Sequence, residues 1–302
     1  MDKELFCGIA KMSQAELFKC MAKFLIGKYN KSNVEIHEGN VYAIGTIPVT
    51  LIAHLDTIFP TPPKNIYYDE EKSVMWSPEG LGADDRAGVY AIIKIIQSGL
   101  RPSVLLCADE EAGCLGATEF VSKYHFPLTK TNYLIEIDRH GSNDCIFYDT
   151  ENPKFVSYIE SFGFKTAAGT YSDVLEIGTA WKIPGVNLSS GYYNEHSMAE
   201  ILNTKELDYT IERVKKMLTA EKIPTFDYIP KMSLNRCALC GEKMTMYEDY
   251  LVRTFNKKSP YLHVCPTCLG TNEKINWCAL CHSPYVGEEE CCPKCMEEIN
   301  KK

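Results

Sequence analysis

Five short stretches of this 302-residue chain carry side chains that could hold cations and move a proton. The first runs Leu51-Ile52-Ala53-His54-Leu55-Asp56, with a histidine and an aspartate two apart at the end of an apolar run. The period of a strand turns both side chains the same way, so one can bind metal while the other orients its ring. The second, Gly82-Ala83-Asp84-Asp85-Arg86-Ala87-Gly88, sets two carboxylates where a loop becomes a helix. A carboxylate there can bridge two cations, and the small Ala87 and Gly88 let the helix approach the strands. The third, Ala108-Asp109-Glu110-Glu111, follows another apolar run. Three successive acids repel one another, a cost that bound cations would remove. Adjacent glutamates can divide the work, one ligating and the other taking a proton from water. The fourth, Leu134-Ile135-Glu136-Ile137-Asp138, again ends an apolar run in acid, and the fifth, Gly191 to Glu200, supplies a second histidine, His196.

Imidazole and carboxylate donors without thiolates fit catalytic zinc, manganese or cobalt better than structural zinc. No one stretch decides the matter, but acid clusters that each end a strand-like run are hard to attribute to chance. The motifs HLDT (54–57), GADDRAG (82–88) and DEEAG (109–113), in that order, resemble those of peptidase T and related co-catalytic zinc exopeptidases, single-domain leucyl aminopeptidases among them. The resemblance covers roughly residues 50–200. It implies two catalytic Zn2+, with Mn2+ or Co2+ as alternatives. By that likeness His54 is a terminal ligand of one metal and Asp56 orients it. Asp85 bridges both metals, Glu110 is the general base, and Glu111 binds the metal opposite that of His54. Asp138 completes the site of His54, and His196 that of Glu111. Ser172 and Asp173 match a Ser-Asp segment that relatives place near the substrate pocket.

Two features depart from the family pattern. Peptidase T-like enzymes insert a whole lid or dimerisation domain between the ligands matching Asp138 and His196. Here 57 residues separate them, so a catalytic domain without a lid is expected. Arg139, beside a proposed ligand, reads either as a partner of a substrate carboxylate or as a structural group. Plainer readings attach to several neighbours. Asp84, Asp109 and Glu136 read equally as solvated or ligand-orienting acids. His125 and His140 read as surface histidines. Cys107 and Cys114 read as small buried hydrophobes.

The elements that must position these residues are legible from periodicity. Gln14–Tyr29, Asp85–Gln97 and Leu207–Leu218 have helical spacing, with Ser13 placed to cap the first. Val49–His54, Val104–Ala108, Tyr133–Ile137 and Val186–Ser189 are apolar runs of strand length. Strands alternating with helices imply an α/β fold of the zinc exopeptidase type: a mixed, mostly parallel sheet with helices on both faces and ligands at the carboxyl ends of its strands. Residues 1–221 are expected to form this domain, 222–230 a linker, and 231–302 a separate cysteine-rich module.

Of 14 cysteines, nine lie beyond residue 236. Eight form CxxC pairs: Cys237 and Cys240, Cys265 and Cys268, Cys278 and Cys281, Cys292 and Cys295. Each pair offers two thiolates to one metal, so the eight provide for two structural Zn2+ in a zinc-ribbon-like module. Sequential pairing is favoured over a cross-braced arrangement, and Cys291 could replace Cys292. So small a core should unfold without its metal.

A net charge of −8 and a tail without a basic face argue against nucleic acid. No signal-like or membrane-spanning run is evident, and clustered thiolates suit a reducing compartment, so a cytoplasmic protein is expected. The favoured function is a di-metal hydrolase of a peptide or small amide, aminopeptidase-like. The alternatives are an N-acyl amino acid or small-molecule deacylase using the same centre, and an adaptor binding a protein partner through its zinc tail beside a vestigial hydrolase domain.

Overall fold

The computed structural model describes residues 1–253, 261–270, 275–280, 284–287 and 289–300. The chain divides into two units, Met1–Ile229 and Pro230–Lys302. The first unit begins with α1 (Lys3–Ala10), α2 (Gln14–Tyr29), β1 (Val34–His37), β2 (Asn40–Ala43) and β3 (Ile47–His54). A hairpin of β4 (Tyr67–Asp69) and β5 (Val74–Trp76) precedes α3 (Ala83–Gln97), β6 (Pro102–Cys107), α4 (Leu115–Lys123) and β7 (Tyr133–Arg139). Then come β8 (Asp144–Ile146), α5 (Pro153–Glu160), β9 (Lys165–Thr166), α6 (Asp173–Trp181) and β10 (Gly185–Ser189). The unit continues through β11 (Tyr192–Tyr193), β12 (Ile201–Asn203) and α7 (Thr204–Leu218).

Eight strands form the main sheet in the order β1-β2-β6-β3-β7-β10-β8-β9. Its centre is parallel: β3 pairs with both β6 and β7, and β7 with β10. A smaller sheet, β11-β12-β5-β4, is antiparallel. Strand alternation explains why the runs are apolar throughout. Leu51 and Ala53 of β3 face a core shared with α1, α2, α3, α5 and α7, whereas Ile52 faces Phe120 of α4 and Ile177 and Trp181 of α6. The capping box at α2 fixes its start: Ser13 Oγ accepts from the Glu16 amide and the Glu16 carboxylate accepts from the Ser13 amide. The residues between Asp138 and His196 supply β8, α5, β9, α6, β10 and β11, which leaves no segment for a separate lid domain.

The expected linker, 222–230, is packed chain as far as Ile229. The Phe226 ring lies 5.0, 5.4 and 5.9 Å from those of Phe155, Tyr158 and Tyr133. Asn132 donates to the carbonyls of Ile223 and Pro224, and Asn152 to that of Asp227. This strap thus belongs to the first unit, because an aromatic cluster on the domain captures the phenylalanine within it.

Among its described residues the second unit contains three two-stranded ribbons: β13 (Met232–Arg236) with β14 (Lys243–Thr245), β15 (Tyr250–Arg253) with β16 (Tyr261–Val264), and β17 (Ile275–Trp277) with β18 (Pro284–Val286). The helices α8 (Pro266–Leu269) and α9 (Pro293–Asn300) start at the proline inside CPTC and CPKC, a position that spares a helical amide. Cys237, Cys240, Cys265 and Cys268 bring four sulfurs within 4.8 Å of one another. Sequential pairing is the geometry found there. Cys278, Cys292 and Cys295 form a second group of the same kind, and Cys281 lies outside the described residues. Among the described residues, no helix is long and apolar enough to cross a membrane.

Candidate active site

The chemistry-bearing residues gather at the carboxyl ends of the central strands. His54 ends β3 and is fully buried. Asp138 is the penultimate residue of β7, Glu110 and Glu111 follow β6, Asp84 lies at the start of α3, and His196 sits between β11 and β12. His54 Nε2 is 3.1 Å from Asp84 Oδ1 and 3.6 Å from Asp138 Oδ1. His196 Nε2 is 2.9 Å from Glu111 Oε2 and 3.3 Å from Asp84 Oδ2. Two triads result, His54–Asp84–Asp138 and Asp84–Glu111–His196, and they share the Asp84 carboxylate.

The shared acid is Asp84 and not the expected Asp85, so the bridging assignment moves by one residue. Asp84 has extended dihedrals (φ −80°, ψ 106°), and Asp85 follows before regular helix is established. Asp84 reaches both histidines, whereas Asp85 turns back to the backbone of β3 and α3. Asp85 is fully buried and accepts from the backbone amides of His54 at 3.3 Å and Gly88 at 2.8 Å. A Cβ at residue 88 would lie 2.5 Å from both Asp85 Oδ2 and the Ile137 carbonyl, which explains the glycine.

Three further side chains hold the cluster in shape. Asp56 Oδ1 is 3.2 Å from His54 Nδ1, and its two oxygens accept from the amides of Glu110 and Glu111, each at 3.0 Å. One aspartate therefore orients a histidine and fixes the loop carrying both glutamates. Glu200, quoted in its stretch but given no role above, is almost fully buried and accepts from the amides of Gly82 at 2.5 Å and Asp84 at 3.1 Å. Its position four residues after His196 was the available signal. Tyr192 donates to Asp138 Oδ1 at 3.1 Å, so this tyrosine reaches the site while Tyr193 points to Glu206.

Electrostatics fit a cation-binding centre. Burial would raise the Asp84 carboxyl, but hydrogen bonds from His196 and His54 hold it well below the usual range. Burial, reinforced by the Asp84 charge, pushes Glu111 up to about 7. The hydrogen bond to Asp84 lifts His196 to about 9. Burial also raises Glu110, Asp85 and Asp138. Glu111 Oε1 is buried without a hydrogen-bond partner. Carboxylates crowded at this distance with an orphaned oxygen are a donor set for divalent cations, and zinc accepts such oxygen and imidazole ligands. His54, Asp84 and Asp138 would hold one ion; Asp84, Glu111 and His196 would hold the other.

A cavity of ≈ 160 Å³ opens on this cluster, and Glu110, Arg139, His140, Gly169 and Tyr171 are among its walls. His140, expected at the free surface, pairs with Glu195 at 2.5 Å. Ser172 and Asp173 do not line the cavity. They are buried behind it, where Ser172 Oγ donates to Glu136 and burial lifts the Asp173 carboxyl to about 7. Position 173 opens α6, and helix geometry turns its side chain into the domain. Asp109 stands outside the cluster, exposed, accepting from Gln14 at 2.9 Å. Cys114 Sγ lies 3.5 Å from Glu110 Oε1.

Residues 39–176 match the model of peptidase family M28. No curated protein sequence matches the chain. Among solved structures, a tripeptidase from Staphylococcus aureus is 15% identical, with a TM-score of 0.56 over 70% of this chain and 95% of that one. The aminopeptidase PepT of Bacillus cereus is 15% identical, with a TM-score of 0.53 over 71% and 96%. A TET aminopeptidase from a marine-sediment thaumarchaeon is 11% identical, with a TM-score of 0.58 over 73% and 97%. At such identities the likeness establishes the fold alone, and the family match covers the stretch that carries His54, Asp84, Glu110, Glu111 and Asp138.

Proposed function

We propose that the first unit is a metal-dependent hydrolase of peptide or related amide bonds, aminopeptidase-like, in keeping with the similar solved structures, which are named a tripeptidase and aminopeptidases. The observation that carries this reading is the Asp84 carboxylate, held between His54 and His196 in the wall of a cavity that also contains Glu110. When bound, two divalent cations supply the positive charge that polarises an amide carbonyl and acidifies water.

The protein's own groups do the rest. Glu110 takes the proton from the attacking water and delivers it to the departing amine. Burial raises its carboxyl above the ordinary range, which strengthens it as a base while leaving it able to return the proton. Asp56 holds the His54 ring and the backbone of Glu110 and Glu111 in one arrangement. Tyr192 fixes Asp138.

The second unit would hold two structural zinc ions, one on Cys237, Cys240, Cys265 and Cys268, the other on Cys278, Cys281, Cys292 and Cys295. Four thiolates within reach of one ion are a closed structural site, and such a module suits a protein partner better than catalysis. The reading places the protein in the cytoplasm, where these thiols stay reduced.

The test is the Glu110→Gln variant of the full chain, loaded with zinc and assayed on leucyl dipeptides. It should keep the metal content of the wild type and lose turnover by at least about two orders of magnitude. Wild-type turnover in a metal-replete Glu110→Gln preparation contradicts the assigned base.

A further inference from the structure

The substrate cavity has one permanently charged cation in its wall, and that group is poorly satisfied. Arg139 follows Asp138 in β7 and lines the cavity together with Glu110 and His196. A guanidinium offers five N–H donors in a planar fork. Here Nη2 reaches the Ala168 carbonyl at 3.5 Å, and its approach to Asp144 is 4.0 Å. Both are at the outer limit of useful contact. Nε is buried with no hydrogen-bond partner. A buried donor left in this state costs free energy that an incoming acceptor would recover.

The neighbouring groups sharpen the point. His140 is engaged by Glu195 at 2.5 Å and does not compete for an anion. Four acids line the cavity: Asp84 and Asp138 are assigned to cations, which would cancel their charge, Glu195 is engaged by His140, and Glu110 is the proposed base. Arg139 then stands as a positive fork facing a small space beside the reacting centre. Carboxylates match that fork in charge and in shape.

Resting on the hydrolase reading, we propose that Arg139 receives a carboxylate of the substrate close to the scissile amide. The enzyme is thereby selective for short substrates that carry a free carboxylate, the terminal group of a dipeptide or an acidic side chain. Arg139 is a specificity determinant and takes no part in proton transfer.

The experiment compares three substrates with the zinc-loaded full chain: Leu-Gly, Leu-Gly amide and Leu-Asp amide. The wild type should favour Leu-Gly, Leu-Asp amide or both over Leu-Gly amide in kcat/KM by roughly 10- to 100-fold, the range expected of a charged hydrogen bond. An advantage confined to Leu-Asp amide assigns the carboxylate to a side chain, one confined to Leu-Gly assigns it to the chain terminus, and an equal advantage for both shows that either is accepted. In Arg139→Met the ratio should fall toward one, chiefly through KM, and Arg139→Lys should restore part of it. A wild type that cleaves all three substrates equally overturns the inference and leaves the hydrolase reading intact, and that comparison needs no variant to fold. An Arg139→Met protein that slows both substrates by the same factor also overturns it. Loss of turnover on all three substrates by the wild type removes the hydrolase reading and this inference with it.

Discussion

Asp84 and Asp85 are adjacent, identical and both buried, yet the structure gives them different work, which makes an exacting pair of variants. Asp84 Oδ1 and Oδ2 lie 3.1 and 3.3 Å from His54 and His196. Replacing it with alanine withdraws one of three ligands from each triad at once. A four-ligand structural zinc site is worth about 10–16 kcal/mol, so one ligand represents ~3 kcal/mol, or about two orders of magnitude in affinity. Both catalytic ions should therefore be lost to a competing chelator that the wild type withstands. Asp85→Ala should keep them. It removes the acceptor of the buried His54 and Gly88 amides instead, which costs about 1–3 kcal/mol for each donor left unpaired. Metal per chain by mass spectrometry after chelator dialysis, read beside a thermal melt, separates the two effects. Zinc on the cysteine clusters provides an internal reference. An Asp85→Ala protein that loses both ions while Asp84→Ala retains them refutes the reasoning.

Other consequences follow from the same geometry. Glu200→Ala frees the amides of Gly82 and Asp84, and zinc affinity measured by chelator competition should fall about 10- to 100-fold. Metal uptake should release protons and weaken as pH falls through 7, because metal-free Glu111 titrates at about 7 and His196 at about 9. Proton release in a weakly buffered zinc titration checks the sign. Asp173 has a folded pKa of about 7, above its ordinary value. Its contribution to stability is thus fully present below about 4 and lost as pH rises through 7. In metal-free protein, Asp173→Asn should flatten the decline in Tm across that window, and an unchanged slope contradicts the assignment.

Much of the fold was legible because local signals and burial agree. Ser13 as a cap and the helical spacing behind it gave the bounds of α2. The runs around Leu51, Leu105 and Ile135 are apolar because both sheet faces are covered; the first and third were read as strands two residues short, and the second as 104–108 where the strand is Pro102–Cys107. His54, Glu111, Asp138 and His196 stand out in sequence as polar groups at the ends of such runs. The choice between Asp84 and Asp85 was hidden, since it depends on backbone dihedrals at one turn and not on residue type. Ser172 and Asp173 were placed near the substrate pocket by family likeness alone, and residue type gives no sign of which way the start of α6 turns them. Here the cap position is buried against Glu136. The strap around Phe226 carries a proline and scattered charge like a linker, and its partners Tyr133, Phe155 and Tyr158 are remote in sequence. Short edge strands such as β9 and β11 leave no period to detect.

The central claim is that five residues distant in sequence enclose two cations beside Glu110. Crystals grown with zinc, measured on either side of the zinc absorption edge, test it without recourse to activity. Two anomalous peaks should flank the Asp84 carboxylate, one toward His54 and Asp138 and the other toward Glu111 and His196. Density confined to the cysteine clusters, with no peak at Asp84, would contradict the account.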